Sequence, residues 1–191
     1  MERPLIKGLA EKAVNSGFAV LRFDWSYFSN KGNPSKDGSA EFKDIACMLN
    51  LARSNPKIDS TRIYIAGKSM GSLLAYAAFN EDKSLKGCIL LTPILSTAAE
   101  GDLYYPGLNK EIRPVVFILG DKDTDNCPVK ELYQYLGTCE TAFPVDVLAG
   151  GHSFEMGYDD TNLELLKTNE YNVNAAIDTA LFWLKTLENR R

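Results

Sequence analysis

Short unbroken apolar runs alternate along this chain with longer stretches in which apolar residues return every three or four positions. The first kind reads as strands buried on both faces, the second as amphipathic helices. Leu5, Ile6, Leu9, Ala10, Ala13 and Val14 recur at helical spacing, which predicts a helix over Pro4–Ser16 with proline in its first turn. Gly17 ends it, and Phe18–Phe23 (FAVLRF) follows as a buried strand. Asp24 to Ser39 is then a long loop at a strand's carboxyl end, where ligands bind in α/β sheets. Its Trp25, Tyr27 and Phe28 suit either a pocket lining or an anchor pinning the loop to the core.

Ala40 to Ser54 gives a second helix, marked by Phe42, Ile45, Ala46 and Leu49 and stopped by Asn55-Pro56. The next strand, Ile63 to Ala66, leads through Gly67–Gly71 into a helix that runs to Phe79. Near-complete apolarity predicts that this helix is covered on several sides. Gly87–Leu91 is another short buried strand. Ile94 to Arg113 has no periodicity and reads as a connection over the sheet edge, a small lid but too short for a cap domain. Pro114–Leu119 and Phe143–Leu148 are the last two strands. Between them a helix opens at Pro128 and ends at Gly137, and Asn169–Glu188 supplies the closing helix. Strands alternating with helices predict an α/β fold, a three-layer sandwich whose mostly parallel sheet carries helices on both faces. Ile63–Ala66 is expected as its central strand, and residues 1–191 as one domain.

The turn after Ile63–Ala66 reads Gly67-Lys68-Ser69-Met70-Gly71. A G-x-S-x-G between strand and helix is a nucleophile elbow, a strained turn that lifts a serine hydroxyl above the sheet. Side chains at Gly67 or Gly71 are expected to crowd it. Ser69 would sit at a helix N-terminus, where free N–H groups favour developing negative charge, with the Met70 N–H as an oxyanion donor. A serine needs a base, and that base needs a partner to fix its tautomer. The chain has a single histidine, His152, in the glycine-rich loop after the last strand. Gly150 and Gly151 would let that loop reach the elbow. Asp121, Asp123 and Asp125 compete for the acid, all in the loop after Pro114–Leu119. Asp123 is the first choice and Asp121 the second, with turn or cap chemistry the rival role for the others. The order Ser, acid, His is that of the α/β hydrolases.

A formal net charge of -4 and a pI near 5.1 argue against a nucleic-acid or anionic-membrane surface. No apolar run approaches a bilayer-spanning length, and the first residues lack a signal pattern. Cys47, Cys88, Cys127 and Cys139 form no C-x-x-C pair and no metal-like group with histidine. Cys47 and Cys88 lie in apolar stretches and are expected to pack in the core, which fits a reduced, cytoplasmic setting. Neither metal nor cofactor is called for. The expected partner is a small ester-type molecule.

GKSMG, LGDKDTDNCP and AGGHSF together resemble the α/β-hydrolase superfamily, and more narrowly its small dienelactone-hydrolase-like members. The likeness covers nearly the whole chain. In that pattern the GxxD element ends on the acid, which places it on Asp123, and RFDWSYF is similar to the segment after the family's fourth strand. Dienelactone hydrolases carry a cysteine nucleophile where this chain has Ser69, so the resemblance implies a serine esterase or acyl hydrolase. A non-catalytic interaction module on the same fold is the rival expectation. In this fold a third strand and its oxyanion loop would immediately precede the Pro4–Ser16 helix, and that strand lies mid-sheet between the fourth and fifth. Here the sequence starts at Met1. The fold is therefore expected to be N-terminally truncated, to have a start codon assigned too late, or to close its sheet by a different pairing.

Overall fold

Two apolar runs bury every residue and form the middle of the sheet: β2 (Gly87–Leu91) and β3 (Val115–Gly120). A computed structural model describes residues 4–189 of the chain. β1 (Tyr64–Lys68) and β4 (Val145–Leu148) flank this pair in the order β1-β2-β3-β4, and every neighbour is parallel. Alternation along the middle strands divides the core in two. Cys88 and Leu90 of β2, with Val115, Phe117 and Leu119 of β3, face one way. They meet Ala75, Tyr76 and Phe79 of α4 (Met70–Glu81) and Leu132 and Tyr135 of α6 (Val129–Leu136). Ile89, Leu91, Val116 and Ile118 face the other way, onto Leu5 of α1 (Pro4–Asn15) and Ala176, Ile177 and Ala180 of α7 (Leu163–Asn189). This is the expected sandwich of a parallel sheet between two helical layers. α3 (Ser39–Ser54) packs on α4.

Phe18–Phe23 does not become a strand. The segment is irregular, and Val20 and Leu21 are exposed. A strand cannot satisfy its own backbone, so an apolar run becomes one only beside another strand. The segment pairs with no strand: among the described residues β1 pairs with β2 alone, and 18–23 faces it as the wall of a cleft. β1 is thus an edge strand rather than the central one, and the sheet does not close by joining 18–23 to it. A cleft of about 1750 Å³ is lined by both.

The Asp24–Ser39 loop contains one helical turn, α2 (Ser26–Ser29), and polar bonds tie it to α3. The Ser26 N–H donates to Asp44 Oδ2 at 2.8 Å and the Ser35 N–H to Glu41 Oε1 at 3.0 Å. Residues 94–113 include α5 (Gly101–Tyr104) and are clamped to the core rather than free to act as a lid. Tyr105 is fully buried and donates to the Ile94 carbonyl, while Tyr76 donates to that of Pro106. None of these residues lines the cleft. Cys88 is buried as expected, but Cys47 is exposed, on a face of α3 that its neighbours leave open. α7 begins six residues before the expected start, because Asn162 caps it by accepting the Leu165 N–H at 3.0 Å. No helix of the described residues is long and apolar enough to cross a membrane.

Phe117 has no exposed surface and stands edge-on to Tyr105, ring centroids 5.8 Å apart. Phe117→Ala should cost about 3–5 kcal/mol, read as a lowered urea midpoint at unchanged m-value.

Candidate active site

β1 ends in a turn that only particular residues can make. Gly67 lies so close to the following helix that a Cβ there would stand 1.9 Å from the Gly71 carbonyl oxygen. Gly71 is different: a Cβ would meet nothing within 4 Å, so crowding requires glycine at one end of the motif and not at both. Between them Ser69 adopts φ 55°, ψ −128°, a conformation that costs a non-glycine residue about 1–3 kcal/mol. Local bonds offset the strain. The Ser69 N–H extends the sheet ladder to the Leu91 carbonyl at 3.1 Å. The Ser69 carbonyl accepts from the Ser72 N–H at 2.7 Å and the Ser72 hydroxyl at 2.6 Å. Met70 opens α4, so its N–H is one of the first-turn donors with no carbonyl partner inside the helix.

The loops after β3 and β4 are laced together by main chain. The Asp121 N–H donates to the Leu148 carbonyl at 2.7 Å and the Lys122 N–H to that of Gly150 at 2.9 Å. Asp121 Oδ1 in turn accepts the Gly150 N–H at 3.0 Å. Gly150 sits at φ +115°, where a side chain would also strike Phe154, so glycine is required there; Gly151 has an ordinary φ. This lacing delivers His152. Its Nδ1 lies 2.6 Å from Asp123 Oδ2 and its Nε2 lies 2.7 Å from Ser69 Oγ. A carboxylate accepts only, so Nδ1 carries the proton and Nε2 is left to accept the serine hydroxyl. Asp123 is 3% exposed, and its Oδ1 receives the Asn126 amide at 2.8 Å.

The structure thus joins Ser69, His152 and Asp123. It gives Asp121 a different task, bonding Gly150, and leaves Asp125 exposed. That Gly150 bond holds the Asp121 carboxyl below the usual carboxylate range. Cys127, beside Asp123, is buried and inert: burial, with the aspartate's charge behind it, pushes its thiol up to about 12. Ser69, Met70 and His152 open onto the large cleft, whose wall includes Trp25, Tyr27 and Phe28. Those aromatics are therefore pocket lining, with Trp25 also edge-on to Phe23 at 5.0 Å.

Residues 1–180 match the family model of an alpha/beta hydrolase domain. The chain belongs to this alpha/beta hydrolase family. It is 33% identical over 94 residues to the quorum-quenching protein AidA of Acinetobacter baumannii, a stretch that is 48% of this chain and 31% of that protein. The chain therefore spans about a third of the length of the curated relative it matches. Among solved structures it is similar to a protein of unknown function from Agrobacterium tumefaciens, with TM-score 0.74, 18% identity, and 99% of this chain and 79% of that one covered. An alpha-beta serine hydrolase homologue from Coxiella burnetii gives 0.67 at 18% identity, over 92% and 77% of the two chains. An esterase from Pyrococcus furiosus gives 0.61 at 19%, over 92% and 74%. Identities this low speak to the fold. The family model and the folds agree on an α/β-hydrolase domain; the narrower dienelactone-like likeness is not what these matches single out.

Sequence reasoning passed over Asn126 in this α/β hydrolase. Its one signal was position, three residues after Asp123 in a turn, a spacing shared by many side chains that only close turns.

The depressed Asp121 carboxyl makes a pH test of the loop lacing. Its contribution to stability is present above its unfolded value, near pH 4, and is lost as pH falls through the lower folded value. Asp121→Ala should lower the urea midpoint at pH 7, and the gap from wild type should narrow by pH 3.

Proposed function

We propose that this α/β hydrolase is a serine hydrolase cleaving a small carboxylic ester or thioester through an acyl-enzyme. The observation that carries the reading is the unbroken path Ser69 Oγ, His152 Nε2, His152 Nδ1, Asp123 Oδ2, with both links at hydrogen-bond length. Ser69 attacks the substrate carbonyl while His152 takes its proton at Nε2. The Asp123 carboxylate holds the ring in the tautomer that leaves Nε2 free and stabilises the imidazolium that forms. The Met70 N–H, at the positive end of α4, donates to the developing oxyanion. His152 then returns its proton to the leaving oxygen or sulfur, which departs as the acyl-enzyme forms. A water deprotonated by the same nitrogen attacks that acyl group, and Ser69 regains its hydrogen as the acid leaves. No cofactor or metal enters the scheme.

A non-catalytic module on this fold would place no demand on His152, and a ring turned to solvent would favour it. Instead both ring nitrogens are engaged, and the nucleophile sits in a strained conformation that costs stability. The esterase among the structural neighbours accords with the ester reading.

A fluorophosphonate probe should label the wild-type protein and leave Ser69→Ala unlabelled; equal labelling of the two would overturn the assignment. On any ester the protein turns over, His152→Ala should lower kcat by about ten-thousandfold or more.

A further inference from the structure

We infer that Asn126 is a positioning residue of the triad, holding the Asp123 carboxylate in the one orientation that serves His152. The inference rests on the catalytic reading above. The torsion that turns a carboxylate is broad, so something must hold its plane at the angle that aims an oxygen at the imidazole. Here Oδ2 lies 2.6 Å from Nδ1, and Oδ1 is occupied by the Asn126 amide at 2.8 Å. With the aspartate 3% exposed, bulk water does not replace that donor.

Other sources of stabilisation are turned away. Among the described residues no lysine or arginine lies within ion-pair distance of Asp123, and Lys122 points instead to Asp121 at 3.3 Å. The neighbouring Cys127 thiol stays neutral. Apart from the histidine, the side-chain donor to this buried anion is an uncharged amide. The backbone that carries that amide is held from two directions. The main-chain carbonyl of Asn126 accepts the Leu95 N–H at 2.7 Å, and the turn closes by the Cys127 N–H on the Asp123 main-chain carbonyl at 3.1 Å. Asn126 therefore acts on the reaction only through Asp123, and lies outside the lining of the cleft onto which Ser69 opens.

The test uses Asn126→Leu, which keeps the bulk and removes the donor, and Asn126→Asp, which keeps the shape and sets a like charge beside Asp123. Turnover of p-nitrophenyl acetate is measured alongside the proton NMR signal of the His152 Nδ1–H. Because His152 is the sole histidine, that low-field signal has one source. Asn126→Leu should lower kcat about tenfold with KM unchanged, and Asn126→Asp should lower it further. In both, the Nδ1–H signal should move from its wild-type position, and a residue that only closes the turn would not move it. A signal that stays put in folded Asn126→Leu overturns the inference, whether or not the ester is hydrolysed. If the signal moves but Ser69→Ala hydrolyses the ester as fast as wild type, the catalytic reading fails and the positioning role stands.

Discussion

The parallel register of four strands is the constraint on which this molecule depends. Lys68 lies opposite Leu91, Leu91 opposite Ile118, and Ile118 opposite Asp146, so the strands end together along one edge of the sheet. Parallel strands all present their carboxyl ends on the same side, and the loops that leave them share one space. Ser69 comes directly after β1, Asp123 three residues after β3 and His152 four after β4. Groups 83 and 29 residues apart in sequence meet at hydrogen-bond length because their strands are in step. A slip of one residue in any ladder would carry the corresponding loop about 3.3 Å along the strand and break the contact.

Within that frame, the three residues are held by different means. Ser69 is fixed by backbone geometry: the close approach at Gly67, the ladder bond to Leu91 and the double bond from Ser72 over-determine a conformation the residue would not choose. His152 is delivered by a loop, and that loop is held by main-chain bonds to the residues just before Asp123. Asp123 and His152 therefore move as one body, so their separation survives small shifts of either strand. Asp123 has its carboxylate set by a neighbouring side chain, that of Asn126.

Most of this was legible in the sequence wherever a local pattern carries the physics. Gly87–Leu91 matches its strand residue for residue because a run buried on both faces needs no partner's identity to be recognised. Ser69 and His152, which the structure brings within hydrogen-bond reach, stand out in the sequence because glycines and chain order mark their loops, and Asp123 stands out by the GxxD resemblance. Phe18–Phe23 misled because apolarity reports burial, whereas a strand also needs a neighbour to bond, and that neighbour is not written in the run itself. Cys47 misled in the same way: an apolar surrounding sequence does not say which face of α3 is covered. The early start of α7 was readable, in Asn162 and the Leu165 it caps, but the exposed Leu163 hid the apolar stripe there. Asn126 left no pattern, since one amide bonding one oxygen has no periodicity.

The edge position of β1 places an unusual burden on its inner side. The strand that leads into Ser69 is bonded to β2 alone among the described residues, and Ala66, midway along it, is exposed. An interior strand is immobilised by two ladders, while an edge strand keeps one and frays more readily. What compensates is α4, which grows directly out of the elbow and buries Ser72, Ala75, Tyr76, Ala78 and Phe79. Tyr76 and Phe79 lie in the same core as Leu90, Phe117 and Tyr105, and Ile65 of β1 packs against that core too, so the helix ties the edge strand to the interior of the sheet. Ser69 stands at the junction of the edge strand and the buried helix. Its location follows from the helix, and the Leu91 bond keeps the strand in register behind it.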